Sequence, residues 1–226
     1  MKKDFSANSG ERISAITDDR IITDHLARYN FAADFIREQY DSEIKIFGAD
    51  IFCGSGYGTN ILARESNSVI FGIDASEESI SYANLNFQRS NIFYSSKIFP
   101  FKLPSNVFDF ICSFESLEHI LDYRLFAAQL SISLKCGGFL LVSCPNSDRI
   151  DLDINPYHWH YKHLNPIELE SLFVENDFTL QRKLSTLCVI PNESKKVIAV
   201  NHFAIPKNEI LNDLSGDTLF FIFRKN

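Results

Sequence analysis

The feature that most restricts this chain is the stretch GADIFCGSGYGTNILA, residues 48–63, where an apolar run ends in three glycines at alternate positions and passes directly into helix-forming sequence. Gly54, Gly56 and Gly58 admit positive φ and let the backbone come close to a ligand or to another element. A strand that turns this tightly into a helix is the opening unit of a parallel sheet, and such sheets bind ligands beyond the carboxyl ends of their strands. The dinucleotide pattern G-x-G-x-x-G is not met, because the third glycine comes one residue early and Thr59 stands in its place. A carboxylate, Asp50, also interrupts the apolar run. An acid there repels a pyrophosphate, so the residues call for a ligand with a cationic group.

The rest of the chain supports the parallel sheet. Apolar, β-rich runs occur at 44–52, 69–73, 91–94, 107–113, 138–144, 178–184 and 218–223, and helical spacing with helical caps separates the first five. Ser76 followed by Glu77 and Glu78 starts one helix. Asp122 caps another, expected to run to about Lys135 and to stop at Gly137 and Gly138. Asn165-Pro166-Ile167-Glu168 is a capping box with proline at the first helical position. Near-continuous apolar strands between such helices describe an α/β fold covered on both faces. No crossover helix is evident between the last two runs, across the loop region with Pro191 and Pro206, so those strands are expected to pair antiparallel.

A length of 226 residues encloses a full core in a single domain, read as a helical lid over 1–43, a ligand-binding core over 44–184, and a loop region with the last strand over 185–226. The net charge of -7 disfavours nucleic acid and anionic membranes as partners and favours a small molecule. The five cysteines form no C-x-x-C pair and suggest neither a disulfide framework nor zinc. Without an apolar leader or a membrane-length apolar run, the expected location is cytoplasmic.

A second acid, Asp74, ends the next run in FGIDAS, where a carboxylate accepts both hydroxyls of a ribose. Ribose with an amino group and no phosphate describes S-adenosyl-L-methionine. The order GADIFCGSGYG, VIFGIDASEESISYA, FDFICSFESLEHI, LKCGGFLLVSCPN resembles the class I S-adenosylmethionine-dependent methyltransferases, over about residues 44–180. That resemblance implies a Rossmann-like, doubly wound, mostly parallel seven-stranded sheet with an antiparallel last strand, preceded here by the N-terminal helical segment. It also implies that Asp50 and the Gly54, Ser55, Gly56, Gly58 turn hold the methionine portion and that Asp74 holds the ribose. Ala75 would lie along the adenine, Ser95 would replace the family's usual acid at the adenine amino group, and Ser113 and Glu115 would line the pocket.

Methyl transfer to an alcohol needs alignment and a general base. The loops after the fourth and fifth strands reach the site. The first carries Glu115, Glu118 and His119; the second places Tyr157, His158, Trp159, His160, Tyr161 and His163 within seven residues. In extended chain His158 and His160 share a side. His158, His160, His119 and Tyr161 are therefore the catalytic candidates, with packing of a lid as the alternative role for these rings. No metal is expected, because no acid is well placed beside the histidines. The N-terminal SGERISAITDDRIITDHLARYNFA resembles a methyltransferase subset associated with sugar or glycan pathways; its Glu11, Arg12, His25, Arg28 and Tyr29 could close over the site, with Arg28 on the methionine carboxylate or a substrate phosphate. The leading expectation is thus O-methylation of a sugar, nucleotide sugar or glycan end. A quinone precursor or other phenol, or an inactive S-adenosylmethionine-binding regulator, are the alternatives. A base methylase is disfavoured by SFES after the fourth strand, and a dehydrogenase by the glycine spacing.

Overall fold

Seven strands form one sheet in the order β3-β2-β1-β4-β5-β7-β6. The computed structural model describes residues 23–65, 67–154, 156–187 and 210–226. In chain order the elements are α1 (Thr23–Gln39), β1 (Ile46–Ile51), α2 (Tyr57–Glu65), β2 (Ser68–Asp74), α3 (Glu77–Asn86), β3 (Ile92–Ser96) and β4 (Phe108–Ser113). A short 3-10 turn (Leu117–His119) follows, then α4 (Tyr123–Ser133), β5 (Leu134–Pro145), α5 (Pro166–Val174), β6 (Phe178–Thr186) and β7 (Thr218–Lys225). Strands β1 to β5 pair in parallel, whereas β7 lies antiparallel between β5 and β6. This is the Rossmann-like mixed sheet of the expectation, including the antiparallel pairing of the last two strands.

The alternation along each strand explains why helices cover both faces. On β5, Phe139 and Leu141 join one apolar cluster while Leu140, Val142 and Cys144 join the other. On β7, Phe220 and Ile222 face the first cluster and Leu219, Phe221 and Phe223 the second. Four consecutive residues, Phe220 to Phe223, are fully buried. Each such side chain contributes roughly 1.5–3 kcal/mol of transfer free energy, so a long apolar strand is stable only where it is enclosed on both sides. The first cluster takes α1 and α2 through Ala32, Ala33, Ile36, Ile61 and Leu62; the second takes α4 and α5 through Phe126, Leu130, Leu169 and Phe173.

The caps form as their residues dictate. Ser76 accepts from the Ser79 amide, Asp122 from that of Leu125, and Asn165 with Glu168 completes a reciprocal capping box. One boundary differs from the expectation. Helix α4 ends at Ser133 rather than Lys135, and Leu134 already pairs with Phe108 of β4. The register then shifts, since the next pair is Phe110 with Phe139, and Gly137 at φ 80 lies inside this irregularity instead of capping a helix. Lys135 is held in the strand by Asp109, whose carboxylate accepts from its Nζ at 2.8 Å. Strand pairing with β4 therefore ends the helix before the glycines are reached.

Candidate functional site

The three glycines of the turn have three different tasks. Gly54, at φ 55, has nothing within 4 Å of where a Cβ would stand, so the backbone there opens onto free space. At Gly56, φ 88, a Cβ would meet the Ala83 methyl at 2.6 Å and the Tyr94 hydroxyl at 2.8 Å. At Gly58 it would strike the Tyr29 ring at 2.1 Å. Only the first glycine faces ligand-accessible space; the second admits the approach of α3 and β3, and the third admits α1.

Tyr29 explains that third glycine. From α1 its ring packs edge-on against Tyr57 and Phe114, and its hydroxyl donates to Asp50 Oδ1 at 3.1 Å. The Thr59 hydroxyl, in the first turn of α2, donates to Asp50 Oδ2 at 2.6 Å. Asp50 is fully buried, and this desolvation pushes its carboxyl up to about 7, against the two hydrogen bonds and with the help of the Asp74 charge. The carboxylate thus acts on the turn from beneath, enclosed by Thr59 and Tyr29, and does not face the open side. Thr59 was legible only as a missing glycine.

Asp74, at the end of β2, closes the turn from the other side. Its Oδ2 accepts from the Gly54 amide at 3.0 Å and its Oδ1 from the Ser76 amide at 2.8 Å. Ser55 and Ala75 are buried beside these contacts, and Ser95 is half-buried in β3 opposite Ile73. The neighbouring Tyr94 belongs to no motif of the sequence. Its ring occupies the space left by the missing side chain of Gly72, and its hydroxyl donates to the Gly56 carbonyl at 3.1 Å. A strand glycine facing a tyrosine on the adjacent strand was the available signal.

At the end of β4, Ser113 is buried with its hydroxyl 2.6 Å from that of Ser116. Glu115 adopts φ 47; its amide and carboxylate both engage Ser143 of β5, the latter accepting at 2.7 Å. Arg28 is fully buried, donates from Nη1 to Thr186 at 2.6 Å and sets Nη2 3.8 Å from Glu115. It is thereby held between β6 and the β4 end, beside Glu115. Glu11 and Arg12 lie outside the described residues, as do Pro191 and Pro206.

The loop after β5 is clamped at both ends. Asn146 bonds through its amide to the Asp217 carbonyl and through its side chain to that of Gly216, and the Ser147 amide donates to the Leu164 carbonyl. Between these points the chain turns instead of extending, which separates residues that extended chain would align. His158 lies edge-on to Trp159, whereas His160 stacks on Tyr157 and meets His119 edge-on, ring centres 4.7 Å apart. His160 Nδ1 is 2.7 Å from His163 Nε2, and His163 Nδ1 is 2.9 Å from the Ile150 carbonyl. Tyr161 is exposed, and its amide donates to the Glu118 carbonyl at 2.7 Å. Burial, with the neighbouring His119 and His163, lowers His160 to about 3, so it is neutral in ordinary buffers. The acid thought to be lacking is present: Glu118 is buried, with Oε1 3.9 Å from His119 Nε2.

Residues 49–142 match the family model described as a methyltransferase domain. A protein of Mycolicibacterium smegmatis described as "Probable S-adenosylmethionine-dependent methyltransferase" is 30% identical over 136 residues, covering 58% of this chain and 51% of its own. The mitochondrial ubiquinone biosynthesis O-methyltransferase of Dictyostelium discoideum is 28% identical over 155 residues, covering 57% and 48%. The chain spans about half the length of these curated relatives. A crystal structure of an S-adenosylmethionine-dependent methyltransferase from Mesorhizobium loti superposes with a TM-score of 0.64 at 15% identity, over 87% of this chain and all of that one. Among the described residues, no helix is long and apolar enough to cross a membrane.

Proposed function

We propose that the chain is a class I S-adenosylmethionine-dependent methyltransferase, a reading supported by the matched methyltransferase-domain model and the similar proteins, and that it binds S-adenosylmethionine at the glycine turn and transfers the methyl group to a hydroxyl of a small molecule. The observation that carries this reading is the closure of the open-faced Gly54 backbone against the strand-end acid Asp74. When bound, S-adenosylmethionine supplies a methyl group already activated on a sulfonium.

The chain's residues do the rest. Asp74 accepts the Gly54 and Ser76 amides, which holds its carboxylate at the rim of the turn, where ribose hydroxyls would be bound. Ala75 borders the adenine and Ser95 offers its hydroxyl to the ring's amino group. Asp50 contributes negative potential beneath the turn, which favours a cationic ligand over a pyrophosphate. Ser113 and Glu115 line the pocket at the end of β4. Helix α1 serves as the covering segment, packed onto the turn through Tyr29. The acceptor enters between the loops after β4 and β5, and its hydroxyl proton leaves toward the cluster of His119 and His160, with Tyr161 at the exposed rim. His158, packed on Trp159, belongs to the wall of that entrance.

A phenolic acceptor is favoured over a sugar. The Dictyostelium relative is named for ubiquinone biosynthesis, and Tyr157, Trp159 and Tyr161 offer aromatic faces to a planar ring. The test incubates the protein with methyl-labelled S-adenosylmethionine and a panel of phenols, quinol precursors, nucleotide sugars and glycans, read by mass spectrometry. Label on a phenolic oxygen is expected. Label on a sugar alone would reverse the acceptor preference, and binding of the cofactor with no product in any arm would turn the reading to a non-catalytic binder.

A further inference from the structure

We propose that Glu118, His119 and His160 bind one divalent cation of the zinc class. Their ligating atoms all lie within 4.8 Å of one another, with Glu118 Oε1 and His119 Nε2 at 3.9 Å. Ligands of a tetrahedral zinc at about 2.1 Å stand roughly 3.4 Å apart, so the set closes by about an ångström through side-chain rotation.

The hydrogen bonds behind the rings decide which nitrogen is available. His119 Nδ1 is 3.2 Å from the Trp159 carbonyl, which only accepts, so Nδ1 carries the hydrogen and Nε2 keeps its lone pair. His163 Nδ1 likewise donates to the Ile150 carbonyl, which leaves its Nε2 as an acceptor. His160 Nδ1 must then donate to His163 Nε2, and His160 Nε2 is the remaining lone pair. Both imidazoles therefore offer Nε2 as a donor to a cation while their Nδ1 hydrogens are anchored. This is the arrangement by which metal sites orient their histidines. His163 is a positioning residue here, holding the tautomer of His160 without touching the cation.

The donor set, two neutral imidazoles and one carboxylate, suits zinc or cobalt better than magnesium, which prefers oxygen and water. The Glu118 side chain is 1% exposed and that of His119 34%, so the carboxylate lies inside and a further coordination position faces the entrance. With a cation bound the imidazoles would be ligands, and the metal would lower the pKa of a coordinated hydroxyl, whose proton would pass to solvent water rather than to a free ring. The site goes beyond methyl transfer and is read without cofactor or acceptor, so failure of either proposal leaves the other standing.

The test uses the full chain without a histidine tag, stripped with chelator. Zinc is titrated by calorimetry and cobalt by visible absorption. One equivalent should bind, with intense d–d bands of low-coordinate cobalt. His119→Ala and His160→Ala should each weaken zinc at least 10-fold. His163→Ala should weaken it about 10–100-fold, and His163→Gln, which keeps one acceptor and one donor, should restore much of the loss. His158→Ala should bind as the parent does. Thermal melts without metal establish that each variant is folded. No binding by the parent, equal loss in His158→Ala and His160→Ala, an unchanged His163→Ala, or tighter binding of magnesium than of zinc would each overturn the proposal.

Discussion

Replacing Asp50 by asparagine isolates the energetic consequence of placing a carboxylate under the glycine turn. Burial raises this carboxyl from 3.8 to about 7 in the folded chain, with the Thr59 and Tyr29 hydrogen bonds opposing and Asp74 adding to the shift. The folded pKa lies above the unfolded one, so the folded state holds an extra proton between about pH 4 and 7. The associated stability is fully present below that window and is lost as pH rises through it. At 1.36 kcal/mol per unit, a shift of about three units corresponds to roughly 4 kcal/mol across the window. Between pH 5 and 8 the share is about 3 kcal/mol by the same conversion. Asp50→Asn keeps the shape and cannot ionise. One new amide faces a hydroxyl donor, at a cost of about 1 kcal/mol, which displaces the variant's curve without tilting it. Urea unfolding of both proteins at pH 5, 6, 7 and 8 gives a difference curve in which the other titrating groups cancel. The variant should gain on the parent steadily toward pH 8. A flat difference curve, within about 0.5 kcal/mol, would refute the buried, raised carboxyl.

Three further substitutions probe the same end of the sheet. Gly58→Ala places a methyl 2.1 Å from the Tyr29 ring, so it should cost about 1–3 kcal/mol in urea unfolding through overpacking, although alanine is the better helix former. Arg28→Met removes the buried cation that bonds Thr186 and faces Glu115; a loss on the order of 3 kcal/mol is expected, measured as a lowered denaturation midpoint. Tyr94→Phe deletes the hydroxyl on the Gly56 carbonyl, and the midpoint should fall by an amount equivalent to about 1 kcal/mol.

The legible and illegible parts of the chain divide along physical lines. The runs around Ile46–Ile51, Ser68–Asp74 and Phe108–Ser113 are readable because strands buried on both faces must be apolar throughout, and the caps at Ser76, Asp122 and Asn165 because they depend on side chains within three residues. The end of α4 is not, since Leu134 is already paired with Phe108 of β4, 26 positions away in the sequence. The glycine spacing marks a turn but does not reveal that two of its three glycines serve Tyr94, Ala83 and Tyr29. The histidine loop is conspicuous as composition. Its geometry depends on where the loop folds back, which Asn146, Leu164 and the Glu118 carbonyl decide through long-range backbone bonds. Period-two reasoning therefore pairs His158 with His160, while the turn pairs His160 with His119 and His163.

The most direct measurement is calorimetric titration of the folded protein with S-adenosylmethionine, beside Asp74→Ala. The parent should bind one equivalent, and the variant, which leaves the Gly54 amide without its carboxylate and removes the acceptor for the ribose, should bind at least 10-fold more weakly, the equivalent of about 1.4 kcal/mol. Absence of heat with the parent protein, or equal affinity in the two proteins, would contradict the account.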